Sequence, residues 1–517
     1  MKPTVNYSLY LVTSSTQIAP GSSLEKQVEE GIIGGVTLVQ LREKDISTKL
    51  FLERAKSVLN ICRKHGVPLL INDRIDIALA IGAEGVHIGQ DDMDCKTARK
   101  ILGEDSIIGV STNNIHEVDC AAADGADYVG IGSIYDTNTK NVKERIIGIT
   151  GLREILEHMS KMPRQLNSVA IAGLNSSNIQ RVIYLSEVNG KRIDGIALVS
   201  AIMSSTTPLE TAKHLRHLIV SPPCFAQIHS KISSSSELVA KVGPLFAKTK
   251  DYTPLIHHLT NGVAKNFSAN VTLAVNASPT MGESKEEVAD FAKFAGSLVL
   301  NIGTLQVRET LIYASQIYNS LNRPVVLDPV GVGATKFRTD AISTLLNHAY
   351  FDIIKGNEGE IMSIAGEEGI MRGVDSVSQH TLTSRVSAVQ RLAVERRCVV
   401  AMSGQTDIVS DGKTTYIINN GTSLLGKITA SGCSLGSVMG VAVSLIPEDK
   451  LLAAVSATLL YNIAGELAVL EEKPATSHAV QGPGTFLPVF IDKLYFLVNQ
   501  CINGDYNWLN RALIQKV

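Results

Sequence analysis

The sequence lacks the features by which disulfide-rich, zinc-binding, secreted and membrane-spanning chains are recognised. Its seven cysteines are scattered without a CxxC motif or histidine-paired spacing, so we expect reduced thiols rather than disulfides or structural zinc. The N-terminus has no long apolar signal core, and no uninterrupted apolar run reaches 18 residues. The sequence therefore predicts a cytoplasmic location and no membrane-spanning segment.

An excess of positive charge is also lacking. The formal net charge is -2 and the pI is near 6.6, so the chain has no global basic field for nucleic acids or anionic membranes. We expect small-molecule partners, with no nucleic acid and no membrane. With 517 residues, 44% hydrophobic and 19% charged, the chain is long enough for two globular α/β cores.

Short apolar runs alternate with helix-length stretches through the first 200 residues or so. This rhythm is typical of parallel βαβ units, and eight such units predict an N-terminal (β/α)8 TIM barrel. The eight runs are SLYLVT, VTLVQLRE, PLLIND, GVHIGQ, IIGVST, YVGIGS, VAIAGL and GIALVS.

A change of composition interrupts this rhythm at residues 221–250, where prolines and a four-serine run predict a linker. It separates a first domain, 1–220, from a second domain, 251–517. The second half has different glycine-rich signals after its apolar runs, which predict an open, layered α/β fold. The runs are LVLNIGT, PVVLDPVGVGA, FDIIKGNEGE, VVAMSG and ITASGCSLGSVMG.

Polar residues repeatedly end the apolar runs of the first half, at the strand ends where a barrel carries its chemistry. Arginine and lysine donors with hydroxyls suit a polyanion, and carboxylates with an amide suit Mg²⁺. Taken singly, Asp73 is explained equally well as a helix N-cap and Gly173 as a tight turn. Their shared placement nevertheless predicts a pyrophosphate and Mg²⁺ site.

These strand ends lie in motifs that resemble those of thiamine-phosphate synthase, over about residues 5–218: QLREKD, INDR, VHIGQDD, GVST, YVGIGSIYDTNTK and VAIAGL. The resemblance implies coupling of hydroxymethyl aminopyrimidine pyrophosphate to hydroxyethylthiazole phosphate, with release of pyrophosphate. One departure is Ala172, where that family more often has glycine. By position, the resemblance assigns Gln40, Arg42, Lys44, Asn72, Ser111 and Lys140 to the pyrimidine pyrophosphate, Asp73 and Asp92 to Mg²⁺, and Thr137, Thr139, Gly173, Val199 and Ser200 to the thiazole phosphate.

Three features of the second half indicate phosphoryl transfer from ATP. The sequence ASGC, residues 430–433, opens an apolar helix whose first N–H groups can bind an anion. Asp328 ends a strand, and Asn357 with Glu360 forms an NxxE after another, which supplies carboxylates for Mg²⁺. No GxxxxGK[ST] motif occurs, which excludes the P-loop class. An NxxE alone is weak, and a cysteine such as Cys433, taken alone, is more often a buried small apolar residue than a catalyst.

The combination resembles hydroxyethylthiazole kinase, a relative of the ribokinase-like kinases, over about residues 251–517. The motifs are LTNGVAKNFSAN, NASPTM, LVLNIGTL, LDPVGVGATKFR, IKGNEGEI, AMSGQTDIV and ITASGC. Three departures are Lys355 for arginine, Ser403 for threonine and Ala430 for glycine, and lysine lacks the bidentate fork of arginine. The resemblance places Met281 and Ala430 at the thiazole alcohol, Lys355 and Ser403 at the nucleotide, Asp328 and Glu360 at Mg²⁺, and Cys433 at the position that activates the nucleophile.

The two halves together resemble fungal bifunctional thiamine enzymes, because the product of the kinase half is a substrate of the barrel half. Two alternatives stay open on the residues: a non-enzymatic protein with degenerate domains, and a phosphosugar barrel fused to a sugar kinase. Single-domain relatives of the kinase form trimers with the active site between subunits. The resemblance therefore implies a homo-oligomer, either a kinase-domain trimer or a hexamer built on it.

Overall fold

The computed structural model describes residues 2, 4–137, 146–303, 308–367, 371–372, 375–376, 380–470 and 480–517. The chain divides into two compact units, Met1–Pro223 and Cys224–Val517. Each unit has its own core.

The first unit is the barrel that the eight apolar runs predict. Its eight strands are all parallel and closed, with β8 hydrogen-bonded to β1. The prediction of a (β/α)8 barrel is confirmed. The elements are β1 (Leu9–Val12), α1 (Leu24–Gly34), β2 (Leu38–Leu41), α2 (Thr48–Lys64), β3 (Leu69–Asn72), α3 (Ile75–Ile81), β4 (Gly85–Ile88), α4 (Cys95–Leu102), β5 (Ile107–Thr112), α5 (Ile115–Ala123), β6 (Tyr128–Ile131), α6 (Gly148–Ser160), β7 (Asn167–Ile171), α7 (Ile179–Ser186), β8 (Gly195–Leu198), α8 (Ser200–Met203) and α9 (Pro208–Val220).

Capping side chains fix the start of several barrel helices. Ser23, Ser47, Asp94 and Asn114 each accept a backbone N–H from the first turn of α1, α2, α4 and α5. Such a cap satisfies a donor that the helix itself cannot pair. The turn before each of these helices is therefore held at a defined position.

The second unit has a nine-stranded sheet in the described residues, in the order β10-β9-β11-β12-β13-β16-β17-β18-β19. The first six strands in this order are parallel, and the last three run antiparallel to their neighbours. This confirms the layered α/β fold. The elements are α10 (Ser235–Ala247), β9 (Leu255–Leu259), α11 (Lys265–Ala274), β10 (Ser278–Thr280), α12 (Lys285–Phe294), β11 (Ser297–Asn301), α13 (Arg308–Ser320), β12 (Val325–Asp328), α14 (Lys336–His348), β13 (Ile353–Asn357), α15 (Glu358–Ile364), β14 (Met371–Arg372), β15 (Asp375–Ser376), α16 (Leu382–Arg396), β16 (Val399–Ser403), β17 (Asp407–Ser410), β18 (Thr415–Ile418), α17 (Ser431–Leu445), α18 (Lys450–Leu470), α19 (Pro483–Ile502) and β19 (Ile514–Lys516).

Two helices of this unit, α18 and α19, are long and apolar enough to cross a membrane by length and composition alone. The most apolar window of α18 is 83% buried in the unit, and that of α19 is 33% buried. On α19 the buried face carries Phe486, Phe490, Leu494 and Leu497. A core helix of a large α/β unit meets the same criteria, because it is apolar on every side that is covered.

The segment expected to link the two domains, 221–250, contributes to the core of the second unit. Its residues Leu238 and Phe246, on α10, are fully buried. Upstream, the ring of Phe225 stacks on Tyr350 with centroids 4.6 Å apart. Lys450 Nζ donates to the carbonyl oxygen of Phe225 at 3.1 Å. The four-serine run and the proline predict a linker, but the structure has a packed helix, α10, in this segment.

We predict that Phe246→Ala destabilises the second unit by about 3–5 kcal/mol, because it opens a cavity in a fully buried site. The single tryptophan, Trp508, lies in this unit, so its fluorescence during urea unfolding reports on the unit alone. The matched control is Lys241→Ala on the solvent side of α10, which should change stability by less than about 0.5 kcal/mol. Equal effects of the two substitutions would mean that α10 is only a tether.

Candidate functional site

The described candidate residues of the barrel all lie at the carboxyl ends of its strands. Because the strands are parallel, these ends share one rim. Lys140 and Thr139 lie outside the described residues. The others are Gln40 in β2, Arg42 and Lys44 after β2, Asn72 and Asp73 at the end of β3, Asp92 after β4, Ser111 in β5, Thr137 after β6, Gly173 after β7, and Val199 with Ser200 after β8.

The carboxylate between the two basic residues Arg42 and Lys44 is engaged elsewhere. Glu43 is buried and accepts hydrogen bonds from Arg54, at 2.8 Å, and from Ser15, at 2.7 Å. In the described part of the chain, the guanidinium of Arg42 forms no ion pair. A cationic group with no resident partner, next to an exposed lysine, suits a polyanionic ligand.

The two predicted magnesium carboxylates follow neighbouring strands. Asp73 has a positive φ of 55° and pairs with Lys44, while its Oδ2 also accepts Asn72 Nδ2 at 2.9 Å. Asp92 is exposed, and its Oδ2 accepts the Gly89 N–H at 2.7 Å. No group of three or more histidine, cysteine or acidic side chains with metal-site geometry occurs among the described residues. The two carboxylates and the Asn72 amide are nonetheless hard-oxygen groups of the kind that bind Mg²⁺ together with ligand phosphates.

A tight turn follows β7, at the position predicted to contact the second anion. At Gly173, with φ 66°, an added Cβ would lie 2.6 Å from the carbonyl oxygen of Asp136. Only glycine therefore fits against the segment that follows β6. The preceding residue, Ala172, also has a left-handed φ, 79°. This backbone conformation explains why glycine is the usual residue there.

In the second unit, the candidate residues again line the edge formed by the carboxyl ends of the parallel strands. Met281 follows the outermost strand, β10, and Ala430 precedes α17. Asp328 ends β12, Lys355 lies in β13, Glu360 in the first turn of α15, and Ser403 at the end of β16.

The charged centre of this edge is almost completely buried. Lys355 Nζ lies 3.6 Å from Asp328 Oδ1, and the two side chains are 3% and 1% exposed. Burial lowers the pKa of Lys355, but Asp328 and Glu360 outweigh it, so the net direction is upward. Burial raises the pKa of Asp328, and burial with the charge of Asp328 raises the pKa of Glu360 to about 7.

Two buried carboxylates thus share one resident cation. One of the buried oxygens, Asp328 Oδ1, accepts no hydrogen bond, although Lys355 Nζ lies 3.6 Å from it. A buried oxygen left without a donor costs free energy, which a bound cation would recover. The site therefore fits a divalent cation on its own chemistry.

The NxxE motif is a complete capping box at the start of α15. The Glu360 N–H donates to Asn357 Oδ1 at 2.9 Å, and Glu360 Oε2 accepts the Asn357 N–H at 2.8 Å. Its Oε1 accepts the Gly331 N–H at 2.8 Å, which anchors the loop after β12. Glu360 is thus first a structural carboxylate that sets the positions of Asp328 and of the α15 terminus.

The start of α17 lies directly over this centre. Ala430 is the N-cap of α17 and makes no side-chain capping bond. Its φ is left-handed, at 63°, which explains why related kinases usually have glycine at this position. A Cβ built on Gly432 would lie 3.0 Å from Lys355 Nζ, which places the ammonium beneath this turn. Cys433 sits beside Asp328, and burial together with that carboxylate raises the pKa of its thiol to about 12. A thiol with this pKa stays protonated at neutral pH.

Asn301 is a residue that the sequence interpretation missed. It ends β11 and pairs in register with Asp328, to whose Oδ2 its Nδ2 donates at 2.8 Å. Its Oδ1 accepts Asn261 Nδ2 at 2.8 Å and the Gly303 N–H at 2.9 Å. An amide that ends the buried run LVLN was the available signal, by the same strand-end rule that selected Asp328.

Comparison with known proteins gives the same division of the chain. The model of the hydroxyethylthiazole kinase family matches residues 246–500, and the model of thiamine monophosphate synthase matches residues 9–202. The chain is 69% identical over 516 residues to the probable thiamine biosynthetic bifunctional enzyme of Schizosaccharomyces pombe, with 100% of both chains covered. It is 40% identical over 539 residues to the thiamine biosynthetic bifunctional enzyme of Saccharomyces cerevisiae, with 98% of each covered. A hydroxyethylthiazole kinase of Methanocella arvoryzae is 39% identical over 255 residues, which cover 49% of this chain and 92% of that protein.

The Asn301 contact generates a prediction about pH. The folded pKa of Asp328 lies above its unfolded value, so ionisation in the folded state costs stability as pH rises from the unfolded pKa toward the folded one. Asn301→Leu removes a donor to the ionised form and should raise that pKa further. The variant also leaves Asn261 Nδ2 and the Gly303 N–H without their acceptor, which should lower the unfolding free energy equally at every pH. The deficit should therefore already be present near pH 4 and grow by about 1–3 kcal/mol more at higher pH, measured by Trp508 fluorescence.

Asn319→Leu is the matched control, because the side-chain amide of this buried asparagine of the same unit bonds to backbone groups of Tyr350 and to no charged group among the described residues. Its deficit should not depend on pH over the same range. A pH-independent deficit for Asn301→Leu would show that its amide does not support the Asp328 charge.

Proposed function

We propose that this chain, which belongs to the family of thiamine biosynthetic bifunctional enzymes, uses its two strand-end rims as two separate active sites. It is a bifunctional enzyme with a thiamine-phosphate synthase domain and a hydroxyethylthiazole kinase domain. The observation that carries the proposal is that each family match falls within one compact unit, whose candidate residues converge at one edge. We assign 1–220 to the synthase and 251–517 to the kinase, with α10 packed into the latter.

In the kinase unit, ATP phosphorylates the alcohol of 4-methyl-5-(2-hydroxyethyl)thiazole. Asp328 Oδ1, the buried oxygen without a donor, holds Mg²⁺, and the remaining lone pairs of Glu360 complete the acidic side. Lys355 and Ser403 bind the nucleotide, and the start of α17 receives its phosphates. Met281 and Ala430 border the thiazole alcohol, with Cys433 next to the hydroxyl that attacks. Bound Mg²⁺ would supply charge neutralisation on the transferred phosphoryl group.

In the barrel, thiazole phosphate is coupled to 4-amino-2-methyl-5-hydroxymethylpyrimidine pyrophosphate. The C–O bond to pyrophosphate breaks, and the thiazole nitrogen forms the new C–N bond, so no general base is needed. The cationic side chains stabilise the charge that builds on the leaving pyrophosphate. Asp73 and Asp92 hold Mg²⁺, the residues Gln40, Arg42, Lys44, Asn72, Ser111 and Lys140 hold the pyrimidine pyrophosphate, and Thr137, Thr139, Gly173, Val199 and Ser200 hold the thiazole phosphate.

The assembly is proposed to be a homo-oligomer in the cytoplasm, either a kinase-domain trimer or a hexamer built on it. Support comes from the resemblance of the kinase half to single-domain kinases that form trimers.

Two substitutions should separate the activities, since each removes a carboxylate from one rim only. We predict that Asp92→Ala abolishes coupling and leaves thiazole phosphorylation intact, and that Asp328→Ala does the reverse. The measurement is mass spectrometry of products from full-length protein in two separate assays with Mg²⁺: phosphorylation is assayed with the thiazole alcohol and ATP, and coupling with the thiazole phosphate and the pyrimidine pyrophosphate. Loss of both activities in either folded variant would contradict two independent sites, and absence of thiamine phosphate with the unmodified protein would contradict the function.

A second prediction concerns Cys433. Because its pKa is raised to about 12, the thiolate fraction should increase about tenfold per pH unit between pH 6 and 9. If the thiolate takes the proton of the substrate hydroxyl, single-turnover phosphorylation should rise with pH in unmodified protein. The rise should vanish in Cys433→Ala, whose rate should fall about 10² to 10⁴-fold with little change in ATP binding. Coupling should be unchanged, and Cys433→Asp should be tolerated.

A Cys433→Ala protein within about threefold of the unmodified rate, with the same pH profile, would make Cys433 a packing residue, since general-base contributions are far larger.

A further inference from the structure

A continuous chain of hydrogen bonds crosses the interior of the barrel between two candidate ligand residues. Gln40 Nε2 lies 2.6 Å from Tyr10 Oη, which lies 2.8 Å from Tyr128 Oη. Tyr128 Oη lies 2.8 Å from His87 Nδ1, and His87 Nε2 lies 2.9 Å from Ser111 Oγ. The chain therefore joins β2 to β5, through β1, β6 and β4.

The barrel makes room for these side chains. At Gly109, opposite Tyr128 in register, an added Cβ would lie 2.1 Å from the Tyr128 ring. At Gly130 an added Cβ would lie 3.1 Å from His87 Cε1. Tyr10 and Tyr128 are at most 1% exposed, so their hydroxyls have each other and the chain as partners rather than solvent. Buried polar networks of this kind are either fully satisfied or costly.

The protons in such a chain can be arranged in only two ways. Each hydroxyl has one proton, and a neutral imidazole has one donor and one acceptor nitrogen. Burial lowers the pKa of His87 to about 4, although Asp92 opposes the shift, so the imidazole is neutral near pH 7. If the Gln40 amide donates into the chain, His87 Nε2–H donates to Ser111 Oγ. Turning the Gln40 amide around reverses every bond.

The two arrangements present opposite surfaces to the rim. In the first, Ser111 Oγ accepts from His87, so its own proton is directed to a ligand acceptor, and Gln40 Oε1 is left to accept from a ligand donor. In the second, Ser111 Oγ can only accept, and the Gln40 amide nitrogen faces the ligand. A pyrophosphate oxygen is an acceptor, and an exocyclic amine on a pyrimidine is a donor. An acceptor at Ser111 and a donor at Gln40 both select the first arrangement.

We propose that Tyr10, Tyr128 and His87 are positioning residues that couple Gln40 to Ser111, so that both ends of the aminopyrimidine pyrophosphate are recognised together. The inference rests on the proposed ligand roles of Gln40 and Ser111. It explains why three polar side chains occupy the barrel interior where aliphatic ones would pack more cheaply. A ligand with a carbonyl in place of the amine would favour the reversed chain and lose the Ser111 donor, so the chain also makes the site selective.

The test is a double-mutant cycle on the synthase activity of the full-length protein. Gln40→Met and Ser111→Ala are made singly and together, and kcat/KM for the pyrimidine pyrophosphate is measured. With the chain intact, we expect the double variant to deviate from the product of the single effects by about threefold to tenfold. In a Tyr128→Phe background, which keeps the ring and removes one link, the deviation should fall below about twofold. Tyr10→Phe removes another link and should reduce the deviation in the same way. The second variant keeps the test valid if Tyr128→Phe does not fold.

Tyr7→Phe is the matched control. Tyr7 packs on Tyr128 with ring centroids 4.9 Å apart, but its hydroxyl is not a link of the chain. The deviation should survive this substitution, and thiazole phosphorylation by the same preparations should be unchanged throughout. A deviation that persists in Tyr128→Phe and Tyr10→Phe, or that Tyr7→Phe removes equally, would overturn the coupling. If neither Gln40→Met nor Ser111→Ala lowers kcat/KM, the proposed ligand roles fail instead.

Discussion

Parallel strand pairing is the constraint on which both units depend. Helices cover a parallel sheet on its faces, so the strands are buried along their length and polar side chains concentrate where the chain leaves the sheet. In the barrel, this constraint brings eight strand ends to one rim, and in the second unit it brings Asn301, Asp328 and Ser403 to one edge. A closed barrel and an open sheet thus both gather polar groups from distant parts of the chain without exposing the core.

The two rims use charge in different dielectric settings. Lys44, in the barrel, is 47% exposed, so its attraction to anions passes through water and is weakened by salt. Lys355 and Asp328 are nearly excluded from solvent, where an unmatched charge is costly and a bound cation correspondingly favoured. The barrel rim is thus suited to capturing a highly charged ligand from solution, and the buried edge to holding a metal and phosphate in a fixed geometry.

Most of the fold could be predicted from sequence, because alternating apolar runs are a local signal, and the strand-end rule predicts where the candidate site residues lie. The eight runs of the first half correspond to the eight barrel strands, and Asp328 and Ser403 end strands as expected. What remained hidden depends on pairing between strands distant in sequence. Tyr128 and His87 lie within apolar runs, which predicts that they are ordinary core residues. Only the structure shows the hydrogen bond between the Tyr128 hydroxyl and the His87 imidazole. The NxxE motif predicts a role for Glu360, but its bond to the Gly331 N–H depends on the loop after β12 and is visible only in the structure.

Two alanines in left-handed turns should affect how the protein responds to rising temperature. Ala172 and Ala430 each hold a conformation that costs an L-residue roughly 1–2 kcal/mol relative to glycine, and each turn lies at a predicted ligand position. Neighbouring contacts must supply that energy, and they weaken as thermal motion increases. The ligand turns therefore belong to the least stable part of each unit, and warming should loosen them before either core melts. Substrates should then be released at a lower temperature than the one at which the fold is lost. Bound substrate should reduce the difference between these two temperatures.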